Sequence, residues 1–115
     1  MTHDQLPLLE LHELVLPQYD EHQTIDQRFD TFDRLNPWVF EALEQMAKDY
    51  IASGLQRVSV KMLTEVLRYQ RGKTRGEAYK LNNTYTALYA RKLVLAHPDW
   101  DGYIELRQRR AERAA

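Results

Sequence analysis

The dipeptide Asn36-Pro37 constrains this chain more than any other feature, because it forces one helix to end and another to begin. Proline has a fixed φ and no N–H, so it suits the first turn of a helix and disrupts its interior. Asparagine directly before it is a favoured N-cap. The pair therefore predicts a helix that begins at Pro37 and follows a first helix over residues 25–35, which has Thr24 as its N-cap. Gly54 is expected to end the second helix in the left-handed conformation.

Two further helices are predicted from the same signals. The third spans about residues 60–71, with Ser59 as its N-cap and Gly72 as its stop. The fourth spans residues 83–96 and ends where His97-Pro98 prevents its continuation. Its expected core side consists of apolar residues at helical spacing: Tyr85, Leu88, Tyr89, Ala90, Leu93 and Leu95.

Strand signals are short. Residues 55–58 leave room only for a tight connection or a single β-bridge, and residues 103–107 suit either a short strand or a last helical turn. The predicted fold is mainly α, a three- to four-helix domain that is helix-turn-helix-like or winged-helix-like, with at most a short β element. Four aromatic residues are expected in its core rather than in a ligand site: Phe29, Phe32, Trp38 and Phe40.

Length and composition indicate one domain. The chain has 115 residues, of which 43% are hydrophobic, and no cysteine. We assign residues 24–110 to the helical domain, residues 1–23 to an acidic, leucine-rich N-terminal arm, and residues 111–115 to a tail. No apolar run reaches the roughly 20 residues that cross a bilayer, and the acidic start is unlike a signal peptide, so a cytoplasmic protein is predicted.

Each candidate motif for catalysis or metal binding lacks a required residue or spacing. Gly72-Lys73-Thr74 resembles the end of a P-loop, but Leu67 stands where that motif needs a glycine. A calcium loop starting at Asp99 would end on Arg110 instead of a glutamate. The four histidines lack metal-ligand spacing and are interpreted as surface residues. We therefore expect no enzyme activity, no metal, no cofactor and no small-molecule substrate.

The small net charge of −1 hides two halves of opposite sign. Residues 1–54 hold 11 acidic and three basic residues, a net charge of −8, whereas residues 55–115 hold 13 basic and six acidic residues, a net charge of +7. Such a division is expected when one face meets a polyanion, and equally when the two halves neutralise each other within one fold. Both interpretations stay open at this point.

DNA is the polyanion that the basic half suggests. Residues 68–80 are expected to form an exposed loop whose basic side chains contact phosphates: Arg68, Arg71, Lys73, Arg75 and Lys80. Four residues on helix four are expected to approach the groove or the backbone: Asn83, Thr84, Thr86 and Arg91. In this interpretation Asn83, Thr86 and either Ala87 or Ala90 share the reading side, and Leu88 faces the core. The alternative is that Asn82 and Asn83 only cap the helix.

The order of elements matches a winged helix-turn-helix domain with a shortened wing. The departure lies in the turn, because about eleven residues separate Gly72 from Asn83, where a helix-turn-helix uses about three or four. The leading hypothesis is a small, non-enzymatic DNA-binding protein.

The N-terminal arm supports a different hypothesis. Four leucines are candidate anchors for a protein partner or for a homodimer: Leu8, Leu9, Leu11 and Leu14. The chain would then be a protein-interaction module, such as an inhibitor or an adaptor.

One stretch also carries a family resemblance. Residues Lys80-Leu81-Asn82-Asn83-Thr84-Tyr85-Thr86, followed by Tyr89-Ala90-Arg91, resemble a motif of small uncharacterised proteins from phages and prophages. The resemblance covers about residues 24–110. It implies a phage or mobile-element context, in which a DNA-binding protein would act as a regulator and an interaction module would act on a host protein.

Overall fold

The computed structural model of the chain describes residues 14–75 and 83–106, and for residues 71–75 and 83 it describes the backbone only. These residues form four α-helices: Ile25–Leu35 (α1), Pro37–Ala52 (α2), Val60–Arg75 (α3) and Asn83–Ala96 (α4). A short 3-10 turn follows at Pro98–Trp100. The predicted mainly α fold with four helices is confirmed.

Helices α1 and α2 begin where the sequence predicts. Thr24 accepts a hydrogen bond from the Gln27 N–H at 3.1 Å, and the Gln27 side chain accepts one from the Thr24 N–H at 2.9 Å, which completes a capping box. Asn36 ends α1 and begins α2 through its main chain, but its side chain makes no capping bond. Asn36 is therefore the N-cap residue of α2, as predicted, but its side chain bonds elsewhere.

Glycines mark one predicted helix end correctly and one incorrectly. Gly54 has a φ of 95° and lies just after α2, as expected. Gly72, in contrast, lies inside α3, which continues to Arg75. A glycine within a helix costs only about 1 kcal/mol relative to alanine, and the neighbouring arginine, glutamine and lysine are good helix formers. The expected loop over residues 68–80 is thus helical as far as residue 75, and residues 76–80 lie outside the described part.

Ser59 caps α3, as expected, by accepting a bond from the Met62 N–H at 3.3 Å. In the described part of the chain, the β element is one parallel bridge between Val58 and Ile104. Val58 donates to the Tyr103 carbonyl at 2.8 Å and accepts from the Glu105 N–H at 3.1 Å. This bridge ties the connection before α3 to the segment after α4.

The core lies between all four helices and includes the bridge. α2 packs against α1 and α3, and α4 packs against α1, α3 and the 3-10 turn. Its completely or almost completely buried large side chains are Phe32, Val39, Leu43, Val58, Leu63, Tyr89 and Leu93. The aromatic residues predicted for the core are confirmed there, with Phe40 only partly buried. Leu95 was expected on the core side of α4, but it is 81% exposed.

The C-terminal part of the arm lies on this body. Leu14 packs against the core, and the buried Asn36 amide holds the main chain of Val15. Further along, the Tyr85 hydroxyl lies 3.2 Å from the Tyr19 hydroxyl. Residues 14–20 therefore form a strap across the helices, whereas residues 1–13 lie outside the described part.

Within the described residues, no helix is both long and apolar enough to cross a membrane.

Candidate nucleic-acid interface

Helix α3 carries basic residues along one side. Lys61 and Arg68 are exposed and are separated by seven residues, which is close to two full helical turns. Arg75 lies another seven residues on, at the end of the same helix, so its backbone position falls on nearly the same side. Each interval corresponds to about 10.5 Å along the helix axis. We call this row, positions 61, 68 and 75, the basic stripe.

Helix α3 as a whole is strongly cationic. Its 16 residues contain five lysines and arginines and one glutamate, a net charge of +4. Helices α1 and α2 together contain six acidic and three basic residues, a net charge of −3. The opposite signs of the two sequence halves are thus distributed over different helices.

Two exposed ion pairs moderate this charge. Arg68 lies 3.4 Å from Glu65, one turn earlier on α3. Arg57, just before α3, lies 3.4 Å from Glu105. Exposed pairs of this kind contribute only about 0–1 kcal/mol, so a polyanion can replace the carboxylates at small cost.

The structure describes the predicted phosphate-contacting residues to different extents. Arg68 is exposed on α3. Arg71, Lys73 and Arg75 belong to the same helix by their backbone. Lys80 lies outside the described part of the chain.

The sequence analysis missed two basic residues, Arg57 and Lys61. Both are exposed, and both lie where α3 begins. The signal that finds Lys61 is its seven-residue spacing from Arg68 and Arg75. It is visible only when residues 68–75 are recognised as helix rather than loop.

The start of α4 has one exposed predicted residue. Thr84 is exposed, Arg91 is half-buried, and Asn83 is the first residue of the helix. Thr86 is only 9% exposed and lies on the side of α4 that is turned into the body.

The predicted reading side of α4 is therefore wrong at Thr86, whereas the predicted core side is confirmed at Tyr85, Tyr89, Ala90 and Leu93. Tyr85, Tyr89 and Leu93 fix the buried side, and Thr86 and Ala90 are buried with them. Two aromatic residues of α1 and α2 determine this orientation, because Phe29 packs edge-on against Tyr89 at 4.8 Å and Phe40 stacks on Tyr89 at 6.5 Å. The outward side of α4 carries Thr84, Arg91 and the exposed Leu95 instead.

An open cleft of about 720 Å³ lies beside the start of the basic stripe. Its walls come from the beginning of α3, from α4 and from residues 101–106. Arg57 and Lys61 line it together with Asp101 and Glu105, so both signs of charge are present. Thr86 lies in the wall of this cleft.

A partly buried ion pair also joins the two halves of the sequence: the Lys92 side chain is 40% exposed and the Asp33 side chain 15%. The Lys92 ammonium donates a hydrogen bond to the Asp33 carboxylate and lies 4.3 Å from the centre of the Phe40 ring. Burial, and secondarily the negative charge of Asp33, raises the pKa of the neighbouring Tyr89. This contact at the junction of α1 with α4 supports the interpretation that the two halves neutralise each other.

One histidine departs from its expected place on the surface. His97 is partly buried, its Nε2 lies 2.6 Å from a Glu44 carboxylate oxygen, and its ring stacks on Trp100 at 3.8 Å. His22 is exposed, as predicted, while His3 and His12 lie outside the described residues. Residues 14–75 and 83–106 hold no group of three or more acidic, histidine or cysteine side chains that could bind a metal ion.

One of the four leucines predicted to bind a partner lies in the part of the chain that the structure describes. Leu8, Leu9 and Leu11 lie outside it. Leu14 packs against the core and is therefore not a free anchor for another protein. Val15 and Leu16, which follow it, are exposed.

No family model, curated protein or solved structure matches the chain. The resemblance to small phage and prophage proteins, with the context that it implies, stays a prediction.

Proposed function

We propose that this protein is a small non-enzymatic DNA-binding module that contacts the duplex backbone through the basic stripe on α3. The observation that carries the proposal is the seven-residue spacing of Lys61, Arg68 and Arg75 on one helix of net charge +4. The phage-type resemblance adds the expectation of a phage or prophage regulator.

The order of the elements supports a helix-turn-helix-like role. α2, the Val58 bridge, α3, α4 and the returning segment at Ile104 follow each other as in a winged helix-turn-helix domain with a reduced wing. In such domains the first helix of the motif crosses the DNA backbone and the second enters the major groove. α3 takes the first position, and its exposed lysine and arginine are suited to phosphates.

The connection between α3 and α4 is also shorter than the sequence analysis expected. Because α3 continues to Arg75, only residues 76–82 separate the two helices. That interval is still longer than the turn of about three or four residues in a helix-turn-helix. The proposed module is thus an extended variant of the motif.

Helix α4 contributes fewer base contacts in this proposal than the sequence analysis expected. Thr84 and Arg91 remain candidates for the groove or the backbone, whereas Thr86 faces the cleft. Most of the affinity is therefore assigned to phosphate contacts, which makes binding strongly dependent on salt.

The test is a titration of fluorescently labelled random duplex DNA over a series of salt concentrations. The double variant Lys61→Gln/Arg68→Gln removes two charges from the basic stripe. The matched control, Arg34→Gln/Lys48→Gln, removes two exposed charges from α1 and α2. We expect the stripe variant to weaken binding and to reduce the slope of log K against log salt by about 1.8, because each phosphate contact contributes about 0.9. The control is expected to bind as well as the wild type, because neither of its substitutions lies on α3.

Two results would contradict the proposal. One is the absence of binding to any duplex at low salt. The other is an equal loss of affinity in the stripe variant and in the control, which would mean that only net charge matters.

A second candidate function is a protein-interaction module, as the leucine-rich arm suggests. The observation in its favour is the exposure of Val15 and Leu16 directly after the residues that would form the anchors. Unchanged DNA binding after substitution of these two residues, combined with loss of a protein contact, would assign separate roles to the arm and to α3.

A further inference from the structure

We infer that the outer side of α3 binds single-stranded nucleic acid in preference to a duplex, and that Tyr69 stacks on an unpaired base. This inference rests on the proposed function, because the basic stripe supplies the phosphate contacts. It adds the form of nucleic acid that is preferred and the residue that selects it.

Tyr69 is an aromatic residue that has no part in the core. It is 66% exposed, and no other phenylalanine, tyrosine or tryptophan among the described residues is as exposed. Four other aromatic rings, in contrast, pack on one another between α1 and α4: Phe29, Phe32, Tyr85 and Tyr89. Aromatic side chains contribute a large apolar area when they are buried. A ring that stays in water on the outer side of α3 is therefore available to a ligand.

A second exposed apolar residue lies in line with Tyr69. Met62 is 41% exposed and precedes Tyr69 by seven residues, so the two side chains lie on nearly the same side of α3. We call these two positions the apolar row. Each of its residues directly follows a residue of the basic stripe, Met62 after Lys61 and Tyr69 after Arg68. The apolar row therefore runs parallel to the basic stripe, displaced by about 100° around the helix.

The apolar row is too narrow for a membrane surface. The wide apolar side of α3 belongs to the core, where Val60, Leu63 and Leu67 are buried. A helix that lies in a membrane surface needs a continuous apolar face, whereas the exposed apolar side chains described on α3 are those of Met62 and Tyr69. The net charge of +4 on this helix is instead complementary to phosphates. Nucleic acid is therefore the ligand that fits both rows.

An exposed ring beside phosphate-binding cations is complementary to a single strand. In a duplex the bases are stacked on each other, so a side chain at the backbone reaches phosphate and sugar but no base face. In a single strand the bases can turn toward aromatic side chains while the phosphates follow a positively charged surface. A strand whose phosphates follow Lys61 and Arg68 passes its bases over the apolar row, where Tyr69 provides the stacking ring.

The test compares two fluorescently labelled probes of equal length at one salt concentration. One is oligothymidylate, which stays single-stranded, and the other is a duplex of random sequence. We expect the wild type to bind the oligothymidylate more tightly. Tyr69→Ala should weaken this binding about 5- to 150-fold, the range expected for stacking on one base, and should change the duplex affinity less than about twofold.

Two variants control for this loss. Tyr69→Phe keeps the ring and is expected to bind both probes like the wild type. Leu95→Ala removes another exposed apolar side chain, on α4, and should also leave both affinities unchanged. Because Tyr69 is exposed, Tyr69→Ala should keep the circular dichroism spectrum and the urea midpoint of the wild type. A loss of binding then reports on the contact with the base and not on unfolding.

Failure of this inference can be distinguished from failure of the proposed function. If Lys61→Gln/Arg68→Gln weakens binding to both probes, but Tyr69→Ala weakens neither or weakens both equally, only the inference is wrong. If the stripe variant binds both probes like the wild type, both are wrong. A wild type that prefers the duplex would also overturn the inference. So would Tyr69-dependent binding to vesicles of anionic lipid, or Tyr69-dependent self-association in sedimentation, without binding to oligothymidylate.

Discussion

Both the junction of α1 with α4 and the outer side of α3 contain basic residues, but these residues have different surroundings in the two regions. At the junction, Lys92 is paired with Asp33 and lies over the Phe40 ring, and Tyr89 is completely buried beside them. On α3, Lys61 and Arg68 remain exposed, and Arg68 has only a solvent-accessible glutamate as partner. A lysine in the first region stabilises the fold, whereas a lysine in the second is available to a ligand.

The difference shows that charge pattern alone does not identify a binding surface. Lys92 belongs to the basic half of the sequence as much as Lys61 does. What separates the two lysines is that Lys92 pairs with the largely buried carboxylate of Asp33. Substitutions at the junction should therefore change stability, and substitutions on α3 should change binding.

Phe32→Ala is expected to have the largest effect on stability. Phe32 is completely buried, and its ring packs on Tyr85 at 5.4 Å between centroids. Removal of such a ring leaves a cavity and costs about 3–5 kcal/mol in the free energy of unfolding. Urea denaturation followed by circular dichroism measures the change, with Leu95→Ala as a nearly neutral control at an exposed site. A cost below about 1 kcal/mol would contradict the described core.

Asn36→Ala is expected to have the next largest effect. The buried amide makes three hydrogen bonds, two of them to Val15 and one to the Phe32 carbonyl. Its removal leaves the partly buried N–H and C=O of Val15 without their partner, while the Phe32 carbonyl keeps the bond from the Asn36 N–H. We expect a loss of about 1–3 kcal/mol. The measurement is the same denaturation, combined with limited proteolysis after residue 14. A stable variant with a protected strap would show that Asn36 does not hold the arm.

Tyr89 makes the stability of the junction sensitive to alkaline pH. The pKa of Tyr89 is raised above the ordinary value of 10.0. Below pH 10, Tyr89 is therefore protonated in both the folded and the unfolded state, and it adds no pH dependence to the free energy of unfolding. Above that pH, the unfolded tyrosine ionises while the folded one keeps its proton, so the free energy of unfolding falls by about 1.4 kcal/mol per pH unit.

Tyr89→Phe removes this contribution. The variant should lose less stability than the wild type between neutral pH and about pH 11. At neutral pH the change should be within about 1 kcal/mol, since the Tyr89 hydroxyl has no hydrogen-bond partner among the described residues. Parallel pH dependence of the two proteins would contradict the described burial of the hydroxyl.

Glu65→Gln is expected to have the smallest effect of these substitutions, and it tests whether DNA binds near Arg68 on α3. The substitution removes the carboxylate that pairs with Arg68 and one negative charge near the basic stripe. We expect duplex DNA to bind roughly two- to fivefold more tightly at low salt, and the gain to decrease at high salt. Glu41→Gln, an exposed position on α2, is the matched control and should leave the affinity unchanged. Weaker binding by Glu65→Gln would contradict a DNA contact on the outer side of α3.

The sequence predicts helix starts better than it predicts faces and ends. Thr24, Pro37 and Ser59 identify the starts because capping and the missing proline N–H act locally. Gly72 misleads, because neighbouring residues with high helix propensity outweigh the cost of one glycine.

The orientation of α4 and the role of Asn36 depend on contacts between distant residues. Thr86 is turned inward because Tyr85 and Tyr89 meet the aromatic rings of α1 and α2. Asn36 has the sequence context of a helix cap, and only the fold brings Val15 to its side chain, 21 residues away in sequence. Within the candidate site, the charge of Arg68 was enough to predict it. Lys61 can be predicted only when residues 68–75 are known to continue the helix α3.

The central claim is that DNA lies on the outer side of α3, and mapping amide resonances by NMR tests it most directly. Addition of a random duplex to the ¹⁵N-labelled protein should shift the amides of α3 from Lys61 to Arg75, together with those at the start of α4 around Thr84. The amides of α1 and α2, on the acidic helices, should remain unchanged. Shifts concentrated on α1 and α2, or no shifts at low salt, would contradict the account.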